Sequence, residues 1–223
     1  DFQGTVTSSA NNIGLNDTTG IELGMTTAAG TLNVNATGID ITGTVNANAV
    51  DLDASSGAGT IADTGSGEIN VATTTNLNAQ ASDDITLDQS TNDFGTTVTA
   101  NGNNVTLVDA NSIELGVTTA AGALDVTATG IDFSGAVTAA TARLDASSDV
   151  GDITDSTGSI AVTGATTITA QTTDDVILDG ANDFDGTVSV TAAFDVTLND
   201  VDGLDFAPST ISGMLNVTAV GVT

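Results

Sequence analysis

The chain has 223 residues, one Lys or Arg against 29 Asp plus Glu, and a formal net charge of −28. With Arg143 as its single cation it lacks the means to neutralise phosphates, so nucleic acid is excluded as a partner and anionic lipid surfaces repel it. The absence of cysteine removes disulfides and thiolate metal sites together.

High charge with few aromatics is a signature of disorder. Here 39% of the residues are hydrophobic, the mean hydropathy is +0.20, and Val, Ile and Leu recur along the whole length, so a folded chain is expected. No apolar run reaches the roughly 18 residues of a membrane span, and the N-terminus shows no basic region followed by an apolar one.

Read from the N-terminus, Asp1-Phe2 opens a stretch that resembles the NDF segments ending at Phe94 and Phe184. Apolar pairs two residues apart then follow at Ile13/Leu15, Leu32/Val34, Val50/Leu52, Ile69/Val71, Ile85/Leu87, Val105/Leu107 and Leu124/Val126. Between them fall secondary pairs such as Ile21/Leu23, Ile39/Ile41 and Ile113/Leu115. Alternation of apolar and small polar residues is the period of a strand. Thr, Val, Asn, Gly and Asp dominate, all weak helix formers, and no apolar stripe of helical spacing appears. Gly24, Gly30, Gly38, Gly43, Gly116, Gly122, Gly130 and Gly135 lie between the pairs, where corners with positive φ are expected.

A longer period overlies the short one. GIELGMTTAAG at 20–30 returns as SIELGVTTAAG at 112–122, and ATGIDITGTV at 36–45 as ATGIDFSGAV at 128–137. The modules are 1–94, 95–184 and a partial third, 185–223. The expected fold is all-β: one continuous right-handed parallel β-helix (β-solenoid) over 1–223, with about 12 rungs of roughly 18 to 20 residues. Neither terminus reads as a cap, so either an excerpt of a longer array or a subunit stacking end to end is expected.

Carboxylates are the chemical actors on offer. They cluster at Asp83-Asp84 with Asp88, at Asp174-Asp175 with Asp179, and at Asp149, Asp152 and Asp155. Paired acids can hydrolyse glycosides. These clusters recur with the module, however, and sugar clefts favour aromatic platforms, whereas Trp and Tyr are absent; no enzyme is expected. Calcium is the better ligand for stacked Asp and Asn oxygens, and Asp83, Asp84, Asp174 and Asp175 are its candidate residues. The glycine-rich nonapeptide of calcium-binding β-rolls and the EF-hand loop are both missing.

The Thr pairs at 26–27, 73–75, 118–119 and 166–167 read as outward strand residues, with a flat hydroxyl array for ice or crystal surfaces as the sharper alternative. Asn16, Asn35, Asn104 and Asn216 begin N-x-T triplets, which a chain so rich in Asn and Thr produces by chance. Arg143 aligns with Asp51 and belongs on the surface, while Phe94 and Phe184 belong in the core.

The pattern NDF-x-GTV-x-VT at 182–191, with VTL-x-DA-x-x-I-x-LG-x-x-T-x-A-G-x-L-x-V-x-A-x-G-I at 105–131, resembles the repeats of large filamentous haemagglutinin-like bacterial adhesins over essentially the whole chain. The resemblance implies a secreted or cell-surface protein, a long β-helical shaft, roles in adhesion, aggregation or matrix, and no catalytic residues. Members of that family carry more Lys and Arg, a departure that points to a saline habitat or a filament needing cation bridges. Two roles are expected to compete: a passive spacer for an adhesive tip that contacts surface glycans or proteins, or a filament or sheath of copies bridged by divalent ions.

Overall fold

The computed structural model describes residues 1–223 and contains strands and turns but no helix. Contacts gather into two units, Asp1–Ala110 and Asn111–Thr223. Each is a parallel β-solenoid, with roughly 11 turns in total.

Three ladders build the first unit. In one, Ile21 pairs with Ile39, Ile39 with Ile61, Ile61 with Ile85 and Ile85 with Val105. In the second, Thr26 pairs with Val45 and Val45 with Ile69. In the third, Ile13 pairs with Leu32, Leu32 with Val50, Val50 with Thr75 and Thr75 with Val98. The 16-residue strand Gly20–Asn35 contributes to all three, with its register shifting at the corner between Ala28 and Thr31.

The second unit repeats the scheme. Ile113, Ile131, Ile153, Val176, Val196 and Leu215 form one ladder. Thr118, Val137 and Ile160 form another, and Leu124, Ala142, Thr166 and Val188 the third.

Strand alternation puts these aliphatic side chains inside, with a polar neighbour outside at each step, as in Ile69, Asn70 and Val71. Stacked coils stand about 4.8 Å apart, so each aliphatic packs on its counterparts above and below. Burying one such side chain is worth about 1.5 to 3 kcal/mol, and repetition makes that sum large enough to offset chain entropy. Phe94, Phe133 and Phe184 are fully buried, in keeping with the core role expected for the NDF phenylalanines.

Coil length departs from the expected 18 to 20 residues. Hydrogen-bonded partners on neighbouring coils stand 18 residues apart at Asn33 and Asp51 but 25 apart at Asn76 and Asp51. The regular step therefore fails after Leu52: Ile69 pairs with Val45, and Val50 and Leu52 receive Thr75 and Leu77. Extra residues enter at corners, including the turn at Gly65, whose φ is +65°. Surface turns tolerate the insertion while strand pairing resumes beyond them, which is why fewer turns than twelve fit the chain.

The expectation for the glycines is also corrected. Positive φ occurs at Gly4, Gly65 and Gly95, outside the set picked from the sequence. At Gly43 and Gly135 the requirement is close approach: an added Cβ would lie 2.9 Å from the backbone of Gly24 and 2.5 Å from that of Gly116. The threonine pairs divide as well. Thr26, Thr75, Thr118 and Thr166 are buried, and Thr27, Thr119 and Thr167 are exposed, so the pairs do not present a flat outward array.

Candidate functional site

The acidic doublets hold neighbouring coils. Asp83 Oδ2 accepts the Gly59 N–H from the preceding coil at 3.2 Å, while Asp84 Oδ1 accepts the backbone and side-chain N–H groups of Asn104 and the side-chain N–H of Asn103 from the following coil, each at 3.0 Å. The second unit repeats this division. Asp174 Oδ2 accepts the Gly151 N–H at 3.1 Å, and Asp175 Oδ1 accepts the Asp195 N–H at 3.0 Å. Both doublets lie in the turns just before the strands Ile85–Leu87 and Val176–Phe184, where the backbone is free of strand geometry and each doublet reaches one coil backward and one forward. The four residues chosen from the sequence as calcium ligands thus have backbone amides as partners, with one doublet in each unit. The amide of Asn104 holds the Asp84 carboxyl below its ordinary value.

A second device is buried. Asp63 accepts the Asp88 N–H at 2.9 Å, the Gln89 N–H at 3.2 Å and the Asn92 side-chain amide at 2.7 Å. Asn92 in turn accepts the Ile69 N–H at 2.9 Å. Asp155 and Asn182 reproduce the arrangement: Asp155 accepts from Asp179 and Gly180 backbone and from Asn182, and Asn182 accepts the Ile160 N–H at 2.8 Å. The NDF segment therefore supplies a buried amide as well as a core phenylalanine, a role the sequence reading missed. Its signal was there, since Asp63 and Asp155 occupy equivalent places in the two modules.

One cluster lies apart from these bonded acids. Carboxylate oxygens of Asp183, Asp200 and Asp202 lie within 4.8 Å of one another. Asp200 is paired in register with Asn182 of the preceding coil, and the Val201 N–H donates to the Asn182 carbonyl at 2.9 Å, which brings Asp200 and Asp202 over Asp183. Burial, then the nearby Asp202 and Asp183 carboxylates, pushes the Asp200 carboxyl up; burial and the charges of Asp185 and Asp202 do the same to Asp183. Two like charges about 4 Å apart at an effective dielectric near 20 repel by roughly 4 kcal/mol. Only a proton or a cation relieves that repulsion, and the geometry suits a divalent ion held by oxygen donors. Choosing candidates by adjacent Asp-Asp pairs overlooked this cluster because its members come together across coils.

A shallow groove of about 500 Å3 on the first unit is lined by Gly20, Gly38, Gly59, Glu22, Asp40 and Thr64. Its acids are engaged: Asp40 Oδ1 accepts the Thr64 hydroxyl at 2.7 Å and Glu22 Oε1 accepts the Thr42 hydroxyl at 3.1 Å. No helix is long and apolar enough to cross a membrane.

A family model described as repeats of unknown function (DUF5649) matches the chain three times, over residues 40–101, 102–151 and 147–191. No curated protein and no solved structure matches it.

Proposed function

Since the chain belongs to this family of repeats (DUF5649) and folds as a repeat β-solenoid, we propose that it is a shaft segment of a secreted bacterial surface protein, a spacer without a catalytic centre. The observation that carries this reading is the bonding of coil to coil on the outside as well as through the core. Asn33 donates to Asp51 at 2.8 Å, Asn76 donates to the other oxygen of Asp51 at 2.7 Å, and Thr99 donates to Asn76 at 2.8 Å. A parallel row runs from Asn78 to Asp53 at 3.1 Å and from Asn101 to Asn78 at 3.0 Å.

In these rows Asp51 and Asp53 each meet amide donors on the neighbouring coils, so no carboxylate of the rows lies directly over another. Pulling neighbouring coils apart would break a backbone ladder, a side-chain row and a layer of core together. That is the mechanical property of a spacer. The likeness of its NDF and VTL segments to filamentous haemagglutinin-like repeats supports a place outside the cell, as part of an adhesin.

The test is immunogold electron microscopy of the source cells with antibodies raised against this chain. Label standing off the outer surface supports the reading; label confined to the cytoplasm overturns it.

A further inference from the structure

Three places in the chain correspond in sequence, and they differ at one position. In the first, Asp1 and Asp17 are joined through Thr19, whose hydroxyl lies 3.0 Å from Asp1 Oδ1 and 2.8 Å from Asp17 Oδ1. In the second copy the corresponding residues are Asp93, Asp109 and Asn111, again with a neutral side chain in the third position. In the last copy they are Asp183, Asp200 and Asp202: the neutral residue has become a third carboxylate.

The same copy carries an unmet need. Asp17 Oδ2 accepts the Phe2 N–H at 2.8 Å and Asp109 Oδ2 accepts the Phe94 N–H at 3.1 Å. Asp200 is 3% exposed, its Oδ1 accepts the Asp202 N–H at 3.1 Å, and its buried Oδ2 has no hydrogen-bond partner. A buried carboxylate oxygen without a donor is costly, and a further carboxylate in place of a hydroxyl adds to the cost unless a cation replaces the missing hydrogen.

We propose that Asp183, Asp200 and Asp202 bind one calcium ion, which joins two successive coils of the second unit. The donors are all oxygen, and the chain has no His or Cys to favour a softer metal. Asp202 is exposed, so water completes the six to eight oxygens that calcium takes, without the near-ideal octahedron that magnesium demands. Asp183 comes from one coil and Asp200 and Asp202 from the next, so the ion ties the coils where the first copy uses Thr19.

The experiment is isothermal titration of the chelator-stripped 223-residue chain with calcium chloride at pH 7 in 150 mM KCl, a concentration that screens diffuse binding to its many acids. One saturable site per chain is expected in the parent. The site is lost in Asp202→Thr, which restores the residue of the first copy, and is kept in Asp149→Asn, which removes an exposed acid elsewhere. Circular dichroism establishes that the variants fold, and Asp183→Asn serves if Asp202→Thr does not. A parent without a saturable site, its carboxylates sharing a proton instead, overturns the proposal. So does an unchanged isotherm in a folded Asp202→Thr or Asp183→Asn chain, or tighter binding of magnesium than of calcium.

Discussion

Asn92 donates its side-chain amide to Asp63, 29 residues earlier, at 2.7 Å inside the first unit. The same amide group accepts the Ile69 N–H, so one side chain satisfies a buried carboxylate and a buried backbone donor on the neighbouring coil. Asn92→Ala leaves both without that partner. Such losses cost about 1 to 3 kcal/mol for each group, and the variant is expected to lose about 2 to 4 kcal/mol. Because the chain has neither Trp nor Tyr, the measurement is urea unfolding followed by circular dichroism in the strand region. Asn182→Ala removes the equivalent bonds to Asp155 and Ile160 and is expected to behave alike.

How much of this could be read from the residues alone follows from what repetition does and does not constrain. Ile21 over Ile39 and Ile113 over Ile131 were legible because inward positions must bury matching aliphatics. Ile69 over Val45 was not, since the residues that lengthen the coil sit in turns, where no apolar pair marks them. Thr75 was misread for a related reason. Its hydroxyl donates to the Phe94 carbonyl at 2.9 Å, which lets a polar residue occupy an inward position where an aliphatic is the rule. At the acids, sequence adjacency drew attention to Asp83-Asp84, which separate toward different coils. Asp183, Asp200 and Asp202 are joined only once the register is known.

The pH dependence of stability has two opposing parts. Donation from Asn104, backbone first, holds Asp84 below its ordinary value, so the folded chain favours the charged form. Its contribution is full above the ordinary carboxylate pKa of about 4 and is lost as pH falls through the depressed folded value. Burial raises Asp63, whose contribution has the reverse sign, present in acid and lost as pH rises through its elevated value. Asp84→Asn is therefore expected to lower the thermal midpoint at pH 7, with the gap to the parent narrowing below about pH 4. A gap of constant size between pH 7 and pH 3 would contradict the assignment.

Two inward threonines should be improvable. The hydroxyls of Thr26 and Thr118 are buried without a hydrogen-bond partner, at equivalent places in the two units. Valine has nearly the same shape and no polar group to strand. Thr26→Val and Thr118→Val are each expected to raise stability by about 1 to 2 kcal/mol in urea unfolding, whereas Thr75→Val, which gives up a made hydrogen bond, is expected to gain less or to lose.

Arg143 gives the last prediction, because it takes the place in its module that Asp51 takes in the first and reverses the pattern of charge. Asp51 is an acid between two amides, Asn33 and Asn76. Arg143 is a base that reaches Asp125 of the preceding coil at 2.9 Å and Asp145, two residues along its own strand, at 2.6 Å. The hydrogen bond to Asp125, with the charges of both acids, raises its pKa further, so it stays charged at every pH of interest. About half of the Arg143 side chain is exposed, and exposed pairs are screened; the two together are worth about 0.5 to 1 kcal/mol. Arg143→Asn would set an amide over Asp125 of the preceding coil, as Asn76 lies over Asp51. It is expected to cost that amount at 10 mM salt and close to nothing at 1 M, where the Debye length falls to about 3 Å. A cost that persists at 1 M salt would mean that Arg143 acts through packing of its aliphatic stem on the neighbouring coils and not through its charge.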